Sequence, residues 1–303
     1  MWFKNFIFYR FTGPFEFNET QLEEALQEHT YSPCGSQELS RYGWVTPAKE
    51  LQDTLCHSVH GFHVVAAQKE EKILPPAVVK QIVDEKVELI EDEQARKVYR
   101  KERDQIKDEV IIDLLPRAFS RFQRTMALIA PQQGWIIVDA SSHKRAEELL
   151  THLRGSVGSL PVALPEVKQS PSAVMTSWLE SGQGMPNGLT ILDECELRDN
   201  LVESGVIRIK GQDLTDDEFT AHLEAGKRVV KLAVEWEEQL RFVLQEDLAI
   251  KRLKMTEQMQ EKRDQDSQED QLAQFDADIA MIGLELTRLI PVILEAFGGL
   301  TDE

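Results

Sequence analysis

The chain has 303 residues, of which 42% are hydrophobic and 29% charged, with 16 Gly and 12 Pro; this is a globular composition with ample chain for a core, neither disordered nor collagen-like. Its net charge of −19 argues, taken as a sum, against a partner as anionic as nucleic acid. The three widely spaced cysteines (Cys34, Cys56, Cys195) point to reduced thiols, no apolar run is long enough to span a membrane, and Lys4 and Arg10 interrupt the aromatic start where a signal peptide would be apolar, so a cytoplasmic protein is expected.

Residues 2–11 are rich in Phe, Ile and Tyr and favour a strand. Asn18 is an N-cap for a helix over 19–28, where Leu22, Ala25 and Leu26 share a face. Residues 29–47 hold two Pro and two Gly and read as loop and short strand. Residues 61–69 read as a strand with Phe62, Val64 and Ala66 on one face. From 77 to 115 there is neither Gly nor Pro, which suits a helix of about 58 Å if unbroken. Its apolar stripe (Val79, Ile82, Val83, Val87, Ile90) thins over 91–105 and resumes at Ile106, Val110 and Leu114, so the middle is solvated, partner-facing or broken.

Two apolar runs around Pro131-Gln132-Gln133-Gly134 predict a hairpin over 125–139, and Ser142 caps a helix over 143–154. Residues 155–171 are rich in Pro, Gly and Ser and read as a connection between subdomains. Short helices are expected near 173–180 and just after Asp193, and Thr215-Asp216-Asp217-Glu218 carries a capping-box pattern for another. Residues 228–235, 239–245 and 248–255 predict a three-strand meander, followed by a long helix over 270–297 stopped by Gly298-Gly299. Strands and helices are mixed without βαβ alternation, so the expected class is α+β with antiparallel sheets. The chain divides into an N-terminal α+β region (1–74 with 125–155), a helical segment with a basic patch (75–124), a linker with a projecting finger (156–226), and a β-meander with C-terminal helix (227–303).

Enzyme signals are weak. Cys56, His57, His60 and His63 cluster, but no second ligand pair follows, and no metal or cofactor is expected. Gly155-Ser156-Val157-Gly158-Ser159 lacks the Gly-Lys-Ser/Thr ending of a phosphate loop.

The basic residues carry more information, because charge is segregated. Residues 94–124 hold nine cations against five acids and sum to +4, leaving −23 for the rest. Arg96, Arg100 and Arg103 share a helix face with Lys97 and Lys101 beside it. They are either laced by internal ion pairs such as Glu93 with Lys97, or open to phosphate. Arg117, Arg121 and Arg124 recur at i, i+4, i+7 with no acid among them, which as a helix would place them on one face. Farther on, Arg208, Lys210 and Gln212 flank the Gly211 turn, where the two cations could tip a projecting hairpin. Lys227, Arg228 and Lys231 open the meander, and Lys251, Arg252 and Lys254 lie in its last strand, with Arg252 and Lys254 on one face and Lys251 on the other. No helix-turn-helix, zinc finger or aromatic RNP-type motif accompanies them, so any nucleic-acid binding is expected to be sequence-independent.

Several blocks resemble the RdgC family of bacterial recombination-associated, nucleoid-located DNA-binding proteins. They include Trp2-Phe3-Lys4-Asn5, Pro33-Cys34-Gly35-Ser36-Gln37 with Gly43-Trp44-Val45, 69–75 (KEEKILP), 114–122 (LLPRAFSRF), Val206-Ile207-Arg208, 212–215 (QDLT), 224–227 (EAGK) and 251–254 (KRLK). The resemblance covers essentially the whole chain. It implies a curved protomer, a ring-shaped homodimer around double-stranded DNA, binding to single strands as well, and restraint of RecA-promoted recombination without catalysis. It further implies that Phe119 is a dimer contact and that Arg208, Lys210 and Gln212 lie on a finger near the hole; some family members carry a second lysine where this chain has Gly211. A competing reading is an acidic interaction module acting by direct contact with RecA, since the chain after residue 130 holds 17 basic against 32 acidic residues.

Overall fold

The computed structural model describes residues 3–199, 205–214, 216–265 and 270–301. Trp2 and Thr215, which enter the expected first strand and capping box, lie outside the described residues. The chain folds as α+β around two antiparallel sheets.

The first sheet is built from β1 (Ile7–Phe11), β2 (Ser40–Val45), β3 (Cys56–Val59), β4 (Phe62–Ile73), β5 (Phe119–Ala130), β6 (Trp135–Val138) and β7 (Val162–Ala163). Its order is β2-β4-β5-β6-β1-β7, with β3 also on β4. Helices α1 (Glu19–Gln27) and α4 (His143–Val157) cover one face. Asn18 and Gln21 form a reciprocal capping box at α1, and the Ser142 hydroxyl accepts from Arg145 N–H at α4, as their sequences foretell. Odd residues of β4 and β5 (Val65, Ala67, Ala127, Ile129) pack with Leu22, Leu26, Leu149 and Leu153 on that side. The even residues (Phe62, Val64, Ala66, Met126, Leu128) turn to a second core. Both faces are therefore buried, which is why the central strands read as apolar runs rather than clean alternation.

The second sheet contains β8 (Leu189–Arg198), β9 (Val206–Lys210), β10 (Arg228–Trp236), β11 (Leu240–Gln245) and β12 (Ile250–Met255), in order β12-β11-β10-β8-β9. Helices α5 (Pro171–Ser181), α6 (Asp217–Glu224) and α7 (Glu257–Gln265) follow the chain around it. Between the sheets runs α8 (Gln271–Ala296), whose Ile279, Ile282, Leu286 and Leu289 join both sheets into one continuous core. The N-terminal segment stitches the sheets together: Phe6 exchanges backbone hydrogen bonds with Ile250 at 2.8 and 3.0 Å before the chain enters β1. That double duty shortens the expected strand 2–11.

One expectation is decided and two change. First, the Gly/Pro-free run takes the broken alternative and folds into two helices, α2 (Pro76–Gln94) and α3 (Arg100–Leu114), hinged at Ala95 in the left-handed region (φ 48°). Folding back lets Ile106 and Val110 bury against Val79, Val83 and Val87 in a small core of their own; a straight helix would leave both stripes in water. Second, β5 begins at Phe119, so residues 119–124 are strand, paired residue by residue with β4 from Ile73 to Gln68. Third, the helix expected after Asp193 is part of β8: Leu189, Ile191, Cys195 and Leu197 alternate with polar positions, a period of two hidden by Leu192. The capping residue of α6 is Asp216, one place later than the expected Thr215.

Candidate nucleic-acid interface

The helical hairpin carries the first set of cations. Because α2 stops at Gln94, the i, i+4 pair between Glu93 and Lys97 does not form. Arg96 instead makes a two-pronged contact with Glu102 at 2.6 and 2.7 Å, and Arg103 reaches across the hairpin to Asp84. Lys97, Arg100 and Lys101 are exposed and make no ion pair among the described residues. Ion pairing thus holds Arg96 and Arg103 and leaves the other three cations exposed.

The second set separates. Arg117 lies in a single 3-10 turn ending at the strand, exposed and without an ionic partner among the described residues. Arg121 and Arg124, three apart in β5, point to opposite faces, so the one-face arrangement expected of a helix does not exist. Arg121 pairs with Glu71 at 2.6 Å, an acid brought in by the neighbouring strand. Arg124 is half-buried; its guanidinium donates to the Thr46 and Pro47 carbonyls, the latter at 2.8 Å, and burial lowers its pKa. It is a structural tie. Beside it, the buried Glu70 accepts from Ser120 Oγ (2.6 Å), Cys34 N–H (2.8 Å) and Tyr31 Oη (2.7 Å), and these bonds hold its carboxyl down at about 2. Glu70 thereby fixes the start of β5, where Phe119 is 84% and Phe122 59% exposed.

The third set converges. On the face of the second sheet turned away from the core, a groove of about 630 Å³ is lined by Arg208, Lys210, Lys231, Lys251 and Arg252, with Ser141 and Ser142 at the start of α4. Glu196 lies beneath them, 5% exposed. It accepts from Arg208 Nε and Lys231 Nζ, each at 3.0 Å, and from Arg198 at 3.1 Å. Burial pushes its carboxyl up, but these donors overcome that and hold it at about 2. Glu194 is lowered in the same way, first by Arg252 at 2.6 Å and then by Lys210 at 3.6 Å. The groove therefore has five cations over two shared carboxylates, with Asp247 bound to His143 at 2.9 Å on its rim.

Strand alternation fails within β12. Arg252 takes φ 53° at a bulge between the Arg241 and Val243 pairings, so Lys251 and Arg252 both line the groove. Lys254 lies in an adjoining hollow with Lys4, which Arg252 also borders. Arg208 sits at the middle of the edge strand β9 and Lys210 is its last residue, opposite Glu196 and Glu194 respectively, with Lys210 at the end of β9 away from the β8–β9 connection. Residues 199–205 connect β8 to β9, and 200–204 of them lie outside the described residues. Gln212 is exposed just past the strand. Lys227 pairs with Asp199 at 3.5 Å, and Arg228 is exposed with no ion pair among the described residues.

The remaining polar clusters have structural partners. His57 bonds Gln52 (2.7 Å) and Asp276 (2.6 Å), His63 bonds Ser58 (2.6 Å), and Cys56 is buried. Among the described residues no three His, Cys, Asp or Glu side chains are grouped to hold a metal ion. Gly155 and Ser156 belong to the last turns of α4, where Ser156 accepts from the Trp44 indole at 2.8 Å.

A family model described as "Putative exonuclease, RdgC" matches residues 1–300. This chain belongs to the RdgC family. The Recombination-associated protein RdgC of Aeromonas hydrophila subsp. hydrophila is 48% identical over 299 residues, 99% of this chain and 98% of that protein. Those of Pseudomonas syringae pv. tomato and Tolumonas auensis are 47% and 44% identical, each over 99% of this chain and, respectively, 98% and 99% of their own length. The RdgC-like block at 114–122 forms the buried Leu115 anchor, the 3-10 turn and the exposed start of β5. No helix among the described residues is long and apolar enough to cross a membrane.

Proposed function

We propose that this RdgC-family protein is a non-catalytic, sequence-independent DNA-binding protein that closes around duplex DNA as a ring-shaped homodimer, acts at the nucleoid, and restrains RecA-promoted recombination. The observation that carries the reading is the cationic groove of the second sheet. Among the described residues Arg208 uses only its Nε, on Glu196, and its side chain is 70% exposed, so its outer edge remains available to a phosphate oxygen. The two carboxylates are shared below the cations, and the groove keeps an excess of positive charge. At physiological salt the screening length is about 8 Å, so a phosphate in the groove responds to these five side chains more than to the acidic body. The groove's lining is dominated by charged side chains, and contacts to the DNA backbone alone are indifferent to sequence.

The test is fluorescence anisotropy with a random duplex of about 30 base pairs between about 50 and 200 mM salt. Affinity is expected to fall steeply with salt, and Arg208→Ala with Arg252→Ala to weaken binding to all sequences alike, reducing the log–log salt slope by about one for each phosphate the variant no longer neutralises. A salt-independent affinity overturns the reading. The wording of the family model favours one rival, nucleolytic cleavage. Loss of terminal nucleotides from the same duplex with Mg²⁺ or Mn²⁺, by protein that cannot be separated from the activity, would replace "non-catalytic" with that chemistry.

A further inference from the structure

The connection between α2 and α3 is short, well bonded, and holds an aromatic ring in water. Glu91 accepts from Val98 N–H at 2.8 Å, Arg96 clamps Glu102, and Arg103 N–H closes on the Tyr99 carbonyl at 3.0 Å. Below this turn the hairpin has its own small core. The bonds fix the backbone but cover nothing: Tyr99 is 76% exposed, and its side chain makes no hydrogen bond or ring contact among the described residues. Lys97, Arg100 and Lys101 surround it in sequence and are the hairpin-tip cations that carboxylates leave unpaired.

A ring mounted on a well-bonded backbone, with cations on either side that are unpaired among the described residues, fits one ligand chemistry well. Nucleic-acid strands offer flat base faces and a phosphate every nucleotide, and proteins that bind single strands combine stacking rings with basic side chains. In a closed duplex the base faces are already stacked on each other, so the ring can use a base only where it is unpaired. The groove of the second sheet, by contrast, has five cations and no Phe, Tyr or Trp in its lining. The two surfaces thus differ in chemistry: one suits backbone alone, the other backbone plus base. We propose that Tyr99 is a stacking platform for an unpaired DNA base, with Lys97, Arg100 and Lys101 on the flanking phosphates, so that the hairpin tip takes single-stranded DNA or the single-stranded side of a junction. The inference rests on the DNA-binding reading above and adds a strand preference to it.

The test compares a labelled oligo-dT of about 30 nucleotides with a blunt duplex of the same length. Tyr99→Ala is expected to lower affinity for the single strand roughly tenfold or more and to leave the duplex within about twofold, while Tyr99→Phe restores the single-strand affinity. A 2-aminopurine placed in the oligonucleotide is expected to be quenched by the natural chain and by Tyr99→Phe, and not by Tyr99→Ala. The Lys97/Arg100/Lys101→Ala variant is expected to reduce the single-strand salt slope by about two. Because Tyr99 is exposed, thermal unfolding checks that the variants remain folded. If the natural chain binds neither DNA, the DNA-binding reading fails and this inference with it. If it binds duplex but Tyr99→Ala leaves single-strand affinity unchanged, or weakens both forms equally, only this inference falls. A drop in sedimenting mass on Tyr99→Ala makes the ring a contact between protein surfaces and overturns the stacking role.

Discussion

Two buried carboxylates decide how the basic residues of this chain are presented. Glu70 gathers a hydroxyl from β5, a backbone N–H and a phenol onto one group, so Glu70→Ala orphans three donors at once. The expected cost is about 2–3 kcal/mol, read as a lower midpoint in urea. Both Glu70 and Glu196 sit near 2 in the folded chain against an ordinary 4.5. A carboxyl lowered on folding contributes stability that is complete above its unfolded pKa and is lost as pH falls toward the folded one. Thermal midpoints are therefore expected to hold down to about pH 4.5 and to decline toward pH 2. Glu70→Gln should start lower and decline less over that interval; an unchanged slope would remove Glu70 from the account. Neither residue announces itself in the sequence, where acids are abundant, because their partners come from strands and loops far along the chain.

At the scale of elements, the same separation appears as packing. The α2–α3 hairpin buries Val79, Val83, Val87, Ile106 and Val110 apart from both main cores. Val110→Ala is expected to loosen it by roughly 2 kcal/mol, seen as faster amide exchange in α2 and α3 while β5 and β6 keep their protection. Equal acceleration everywhere would mean that the hairpin unfolds only with the whole chain. Packing in the main core is closer. A Cβ on Gly283 would lie 2.8 Å from ring carbons of Phe62, so α8 reaches β4 only because position 283 has no side chain. Gly283→Val is expected to cost about 1–3 kcal/mol or more, with α8 displaced from the first sheet, measurable as a lower thermal midpoint.

For the whole molecule, segregated charge becomes a spatial arrangement. The groove joins residues from β9, β10 and β12, while the hairpin tip adds cations from a separate unit. Phe119 and Phe122 at the start of β5 are exposed apolar rings in need of a cover. Under the proposed ring dimer, Phe119→Ala is expected to move sedimentation toward the monomer at micromolar concentration while the protomer keeps its fold, as read by an unchanged circular dichroism spectrum, because the ring is 84% exposed on the protomer. An undiminished dimer places the contact elsewhere.

Much of this was legible in one dimension. Local chemistry set the Asn18 and Ser142 caps, the β5–β6 hairpin, the β10–β12 meander, the α8 stripe and the α+β class, because caps, turns and periodicity act over a few residues. The resemblance to RdgC was legible for the same reason, since it rests on contiguous blocks. The hinge at Ala95 was not, since no Gly or Pro marks it and the gain comes from Val110 meeting Val83. The fate of each cation was not either. Arg121 met Glu71, Arg124 turned inward to two carbonyls, and Lys251 joined Arg252 across a bulge, each through a neighbour that only tertiary structure supplies. Sequence thus determined which side chains are charged and where the capped helices, the β5–β6 hairpin, the meander and α8 form. Folding alone decided which charges remain open to a ligand, because ion pairing and burial depend on distances of a few ångströms between residues as far as 219 positions apart.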